Sequence, residues 1–327
     1  MSEITGIVLL NLGGPDTQEA VEPFLLNLFN DPDIINFPLS SLFRSSLAKL
    51  IATRRSPRIR EEYMKIGGGS PLKKYTLLQA KLLEDKLNNH FPAKVYTAMR
   101  YWHPFTREAL DEIENDGVKK VYLLPLYPQY SMATTLSSLK EWKDQVSIKG
   151  LGRRLSWAMI ESYHDFPPYI DALIERVDQG LAKFPAEVRN DVHILFSAHG
   201  TPMKLVKAGD PYSHQIKKTC ELIIERGEYK QPSSLAYQSK VGPQKWLTPS
   251  TPTMIEQLAA NGVKNILAVP VAFASDHLET LVEVGMQFRD LAMEKGIKQF
   301  EVTEGLNDSD KFISALEKLI LNYTRSM

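Results

Sequence analysis

Apolar positions along the chain alternate between short unbroken runs and stretches with a period near 3.6, the spacings of buried strands and of amphipathic helices. Gly6 to Leu12 is an unbroken run that predicts a buried strand; it ends in GGPDT, after which QEAVEPFLLNLF has helical spacing. IGGGSP at 66–71 turns into the helix LLQAKLLEDKL, AKVYTAMRYW at 93–102 reads as a strand, TREALDEIEND as a helix and VKKVYLLPLYP as a strand. The chain turns polar and basic around 140–155 and becomes strand-like again at LSWAMI. There follow a helix (DFPPYIDALIERVDQGL), two strands (HILFSAHG, LAYQSK), a helix (TMIEQLAANG), the strand NILAVPVAF and a terminal amphipathic helix, DKFISALEKLILNY. Strands that alternate with helices predict parallel sheets, here twice over.

The second half echoes the first. TREALDEIENDGVKKVYLLP (106–125) lies over TPTMIEQLAANGVKNILAVP (251–270) at an offset of 145, with five identities in 20. GIVLLNLGGP lies over HILFSAHGTP at an offset of 187, so the first half carries 42 extra residues between these landmarks. Chance likeness of βα units is the competing explanation. The expected fold is α/β: two similar doubly wound lobes over 1–160 and 161–308, each a parallel sheet flanked by helices. The first carries a lip at about 34–60, and a last helix at 309–327 packs back on it.

That lip is the unusual stretch FPLSSLFRSSLAKLIATRRSPRIR. Leu39, Leu42, Phe43, Leu47, Leu50 and Ile51 are spaced for one helix face, and Arg44, Lys49, Arg54, Arg55, Arg58 and Arg60 meet no acid until Glu61. Such a segment lies on anionic lipid or borders a pocket for acidic ligands; a core helix with a solvated face gives the same pattern.

Candidate chemistry collects in the second half. In PVAFASDHLETLVE (270–283) a helix starting near Ser275 would put Asp276, Glu279 and Glu283 on one face, with His277 beside them. Asp276 with Glu279 also fits a capping box. The offsets place Glu279 on Thr134, Asp276 on Ser131 and His199 on Leu12, so only the second lobe carries ionisable residues there. Both His199 and the acids follow predicted strands, where open α/β sheets bind ligands. One imidazole with carboxylates suits a loosely held divalent metal or a proton relay, and is too hard and too small a set for structural zinc; a buried histidine at a strand end is the alternative. Met132, Tyr101, Trp102, Tyr127, Tyr130, Trp246 and Phe273 cluster at strand ends, as a slot for a flat ligand or an ordinary core would require.

Composition narrows the classes. The 327 residues are 43% hydrophobic, enough for two α/β domains, and 39 basic residues balance 39 acidic ones, so net charge offers nothing to nucleic acid. The single cysteine, Cys220, excludes an internal disulfide and a Cys-rich metal or iron–sulfur site within one chain. The N-terminus reads as a first strand and not a signal peptide, and no run reaches the roughly 18 apolar residues of a membrane span.

The motifs NLGGPDTQEAVEPFLLNLFNDPDII, RRSPRIREEYMKIGGGSP, MRYWHP, LPLYPQYS, SAHGTP, GDPY, YQSKVGPQKWL and PVAFASDHLETLVE, in this order over nearly the whole length, resemble the ferrochelatase family. The resemblance implies a lyase that inserts ferrous iron into protoporphyrin IX in the last step of haem synthesis and releases both pyrrole protons. It implies His199 and Glu279 as the catalytic pair facing each other across the porphyrin cleft, with Glu283 and Asp276 as further metal-handling carboxylates. Arg55, Arg58, Ser70, Gln238 and Ser239 are implied for the propionates, and Tyr63, Arg100, Tyr130, Trp246 and Phe273 for the pocket lining. Fe²⁺ is then a substrate, and no cofactor is required. The [2Fe–2S] cluster of animal members is not expected with Cys220 alone. The lip implies protoporphyrin and peripheral contact with membrane lipid through 37–51, in a cytoplasmic bacterial protein at the inner face of the membrane, monomeric or homodimeric. A related tetrapyrrole chelatase for another metal or macrocycle, and a non-catalytic haem or tetrapyrrole carrier, are the alternatives.

Overall fold

Apolar runs that must satisfy every backbone group among themselves pair into two parallel four-stranded sheets, ordered β2-β1-β3-β4 and β6-β5-β7-β8. The structure is a computed structural model and describes residues 3–32, 41–239 and 244–325. The chain divides into two units, the first comprising residues up to Leu126, Ser131–Glu161 and the chain from Leu319, the second Tyr127–Tyr130 and Ser162–Lys318.

Unit 1 runs β1 (Thr5–Asn11), α1 (Val21–Asn30), α2 (Ser41–Met64), α3 (Leu72–Leu87), β2 (Ala93–Met99), α4 (Thr106–Asn115), β3 (Lys120–Pro125), a π-helical turn (Met132–Leu136) leading into α5 (Ser137–Ile148), and β4 (Ser156–Met159). Unit 2 runs α6 (Pro167–Leu181), β5 (His193–His199), α7 (Met203–Lys207), α8 (Tyr212–Arg226), β6 (Ser233–Gln238), α9 (Thr251–Ala260), β7 (Asn265–Pro270), a π-helix (Glu279–Phe288) leading into α10 (Arg289–Glu294), and β8 (Gln299–Val302). The last helix, α11 (Asp310–Arg325), starts in unit 2 and ends in unit 1, where the Tyr323 hydroxyl donates to the Met159 carbonyl at 2.8 Å.

The register explains the internal echo. Gly6 pairs with Val121 in one sheet and His193 with Ile266 in the other, which reproduces the offsets of 187 and 145 together. The surplus of unit 1 lies in the β1–β2 crossover: Ile7 faces Val95, 88 positions on, whereas Ile194 faces Ser233, 39 positions on. Each sheet is covered by its own apolar cluster, Leu10, Leu110, Val121, Leu123 and Trp142 in unit 1, Leu195, Ile255, Ile266, Val284 and Phe300 in unit 2.

Helix α2 does not bury the apolar face read from the sequence, as the core-helix alternative would require: Leu39 lies outside the described residues, and Phe43 and Leu50 are 64% and 54% exposed. The buried positions are instead Ala48, Ala52 and Ser56, small residues that let α2 lie close along α1, followed by Tyr63. The helix also passes through Pro57, which cannot donate to the Thr53 carbonyl; the Ser56 hydroxyl takes that acceptor at 3.2 Å. The two glycine turns of unit 1 serve close backbone approach: a side chain at Gly69 would collide with the Asp16 carbonyl, and one at Gly14 would come within 2.7 Å of Ser70 Oγ.

Several elements were not foreseen, the short α7 among them. The polar stretch at 140–155 holds most of α5, whose buried face is Trp142 and Val146; α8 and the edge strand β8 are the others. The helix expected from Ser275 begins only at Leu278–Glu279, in π geometry, and its counterpart in unit 1 is the π turn at Met132–Leu136.

Candidate active site

Strands β5 and β6 end side by side, with His199 in register with Gln238. Parallel strands deliver their last residues to one edge of the sheet, and the π-helix following β7 brings its first residue to the same edge. His199 Nδ1 therefore meets Glu279 Oε2 at 2.9 Å, 80 positions apart in sequence. Ser239, held in the left-handed region (φ 64°) just past β6, donates through its hydroxyl, which lies 3.0 Å from Glu279 Oε2 and 2.6 Å from Glu283 Oε2; its N–H donates to Glu283 Oε1 at 3.1 Å. Gln238 Nε2 is 3.4 Å from Glu279 Oε2. The His199 and Gln238 N–H groups thus converge on one oxygen of Glu279, the Ser239 hydroxyl shares its single proton between that oxygen and the nearer Glu283, and none of the three uses Oε1.

His199 and Glu279, the pair that the family pattern implied, are in direct hydrogen-bond contact in the structure. Their side chains are 39% and 33% exposed. Burial pulls His199 down, but the charge and hydrogen bond of Glu279, with Glu283 behind it, outweigh burial and raise its pKa. Burial likewise pushes Glu279 up, and the imidazole charge and hydrogen bond, with His277 and Ser239, hold it at about 2. Glu283 is raised, by burial first and by the neighbouring Glu279 charge. Because Nδ1 is spent on the carboxylate, Nε2 is the nitrogen His199 presents for chemistry.

Phe273 stands edge-on to His199, ring centroids 6.3 Å apart, and against His277 at 4.4 Å. His277 Nδ1 donates to the Ser275 carbonyl at 3.2 Å, and burial lowers its pKa by disfavouring the charged form. No role had been read for it from the sequence, although it stands inside the DHLET motif. Trp246 packs where a side chain on Gly200 would reach its ring at 3.3 Å.

Asp276 does not join the row. It is 8% exposed, and its carboxylate accepts from Thr280 Oγ1 (3.0 Å), Asn307 Nδ2 (2.7 Å) and the Gly305 N–H (3.2 Å). The helix starts later than its acids suggested, so Asp276 stays in the preceding turn and ties down residues 305–307. Gln238 and Ser239, implied for propionates, spend their polar groups on the carboxylates. Tyr130 lies beside α8, its N–H donating to Gln215 Oε1 at 2.6 Å.

The remaining expected residues belong to unit 1. Arg100 bonds Asp31 at 2.8 Å, with Ser137 and Glu141 also in reach. Arg55 lies over the Phe29 ring at 5.6 Å, Arg58 is 82% exposed beside Glu62, and Tyr63 and Ser70 are buried. Among the described residues no group of three His, Cys, Asp or Glu is placed to hold a metal ion by itself.

Two α/β units, each built on its own parallel sheet, make a chelatase-like fold. The fold is shared with SirB from Bacillus subtilis, solved with Fe³⁺, at a TM-score of 0.56 and 9% identity over 98% of this chain and 95% of that one. A multi-domain protein from Deinococcus radiodurans with structural similarity to chelatases aligns at 0.55 and 13%, over 97% of this chain and 55% of its own. The chain belongs to the ferrochelatase family, whose model matches residues 4–324. It is 46% identical to the ferrochelatase of Gloeobacter violaceus over 98% of both chains. It is 45% identical to that of Aquifex aeolicus over 97% of this chain and 98% of that one, and 42% identical to the mitochondrial ferrochelatase of Xenopus laevis over 98% and 79%. Iron insertion into a porphyrin in haem synthesis is the role that this membership supports.

Proposed function

We propose that the chain inserts Fe²⁺ into protoporphyrin IX at the His199–Glu279 edge, exchanging both pyrrole protons for the metal. The observation that carries this reading is the convergence of His199, Gln238 and the shared Ser239 hydroxyl on Glu279 Oε2, which fixes the carboxylate and leaves Oε1 to exchange for a water of hydrated Fe²⁺. A cation at Glu279 competes with the imidazolium for the same charge, so its arrival releases the His199 proton and turns Nε2 into a base for a pyrrole N–H. Iron is a substrate here, and the macrocycle nitrogens complete its coordination. Glu283, bridged to Glu279 through Ser239, offers a second carboxylate along the way.

We further propose peripheral contact of a cytoplasmic protein with anionic lipid through α2. Its support is the pairing of exposed Phe43 and Leu50 with Arg44, Lys49 and Arg54 on one helix. Residues 37–40 of the expected contact lie outside the described residues. No described helix is long and apolar enough to cross a membrane.

The test is optical. Protein, protoporphyrin IX and Zn²⁺ or anaerobic Fe²⁺ should convert the free-base bands to the metalloporphyrin spectrum catalytically; a carrier would shift the bands without turnover. His199→Ala and Glu279→Ala should each abolish turnover with the fold retained. Near-normal turnover in either removes the pair from the reaction.

A further inference from the structure

We infer that Ser197, with Thr251 behind it, is a positioning residue for metal insertion, locking the Gln238 amide so that its NH₂ faces Glu279. The inference rests on the proposed role of Glu279 and adds the residues that hold it in place. Ser197, Gln238 and Thr251 are 0%, 2% and 0% exposed, so each polar atom among them needs a protein partner. Ser197 Oγ lies 2.6 Å from Gln238 Oε1 and 3.0 Å from Thr251 Oγ1.

Proton counting gives this chain a direction. A carboxylate accepts, so the amide must turn Nε2 toward Glu279 and Oε1 toward Ser197. Oε1 also only accepts, so the single Ser197 hydroxyl proton goes to it. The link to Thr251 is then donated by Thr251. The order is Thr251 O–H to Ser197, Ser197 O–H to Gln238, and Gln238 N–H to Glu279 Oε2. Ser197 is two residues before His199 on β5 and shares its face of the strand. Strand β5 thus references both partners of the pair, the imidazole directly and the carboxylate through Gln238.

Unequal consequences follow. Ser197→Ala leaves Gln238 Oε1 without its donor in a closed site, and the amide loses the anchor that fixes its angle and reach toward Glu279. Thr251→Val removes only the donor behind Ser197, which still donates to Gln238. The steady-state zinc and protoporphyrin IX assay, run beside thermal melts, should show kcat reduced about tenfold in Ser197→Ala at unchanged porphyrin KM, the scale of one hydrogen bond to a charged group. Thr251→Val should stay within about twofold. Gln238→Met, close in size and without the donor, should match Ser197→Ala and decides the matter if Ser197→Ala fails to fold.

A folded Ser197→Ala or Gln238→Met enzyme with wild-type kcat overturns the inference, as does a porphyrin KM that rises while kcat holds. So does a Thr251→Val loss equal to that of Ser197→Ala, which would reverse the chain. A wild-type protein that never metallates porphyrin sinks the functional reading itself, a different result from active variants of an active enzyme.

Discussion

Replacing Asp276 by alanine tests whether this acid works on metal or on structure. Its carboxylate holds Thr280 Oγ1, Asn307 Nδ2 and the Gly305 N–H, and its own N–H donates to Asn307 Oδ1 at 2.9 Å. In alanine the Thr280 hydroxyl can fall back on the His277 carbonyl at 3.1 Å. The bonds that the carboxylate takes from the Asn307 amide and the Gly305 N–H are lost with it. A buried hydrogen bond to a charged group is worth about 1.5–3 kcal/mol, so the two together give about 3–6 kcal/mol. At about 2–4 °C per kcal/mol for a domain of this size, the melting temperature should fall by about 10 °C. Asp276→Asn should fall between, because the Asp276 N–H fixes the Asn307 amide and either orientation of the new amide loses an acceptor. Differential scanning fluorimetry measures the fall, and zinc insertion per mole of folded protein, assayed well below the melt, should stay within a few fold of wild type. A variant that melts like wild type yet no longer inserts metal would return Asp276 to the acid row and refute this assignment.

Other outcomes follow from the same geometry. The Glu279 pKa is depressed from 4.5 to about 2, so its stabilisation is full above the unfolded value and lost as pH falls from 4.5 toward 2. His199 is raised above 6.5, so its share is present below that and lost as pH rises through the raised value. Glu279→Gln should therefore flatten the acid limb of a urea-midpoint curve and remove the alkaline decline; an unchanged acid limb would count against the pair. Ser56→Ala leaves the Thr53 carbonyl without its donor next to Pro57 and should cost about 1 kcal/mol by chemical denaturation, against no change if water suffices. Phe43→Ser with Leu50→Ser should weaken sedimentation with phosphatidylglycerol vesicles at least tenfold while metal insertion into detergent-dispersed porphyrin persists; equal sedimentation would take the lipid contact away from α2.

Much was legible in one dimension because it is local or periodic. The strands at Thr5–Asn11, Lys120–Pro125 and Asn265–Pro270 are apolar runs bounded by breakers, and the repeat offsets reappear as sheet register. Polar segments hid α5 and α8, whose few buried positions per turn dilute the helical signal. Hydropathy does not mark how helix α2 packs: Phe43 and Leu50 face solvent, and the buried positions Ala48, Ala52 and Ser56 are small residues that leave no apolar pattern.

At the site, residue types alone singled out His199, Glu279 and Glu283, since an imidazole and acids after strand ends are costly unless used. They could not place Asp276, because a shift of the helix start by three residues moves a side chain from the row into the turn before it. The sequence by itself determined two parallel sheets, their internal symmetry and the half that carries ionisable groups, all consequences of spacing along the backbone. Only the tertiary structure decided which polar atoms meet. Hydrogen bonds are satisfied in three dimensions by groups tens of residues apart, and the direction of each bond follows from what its partners have left to donate.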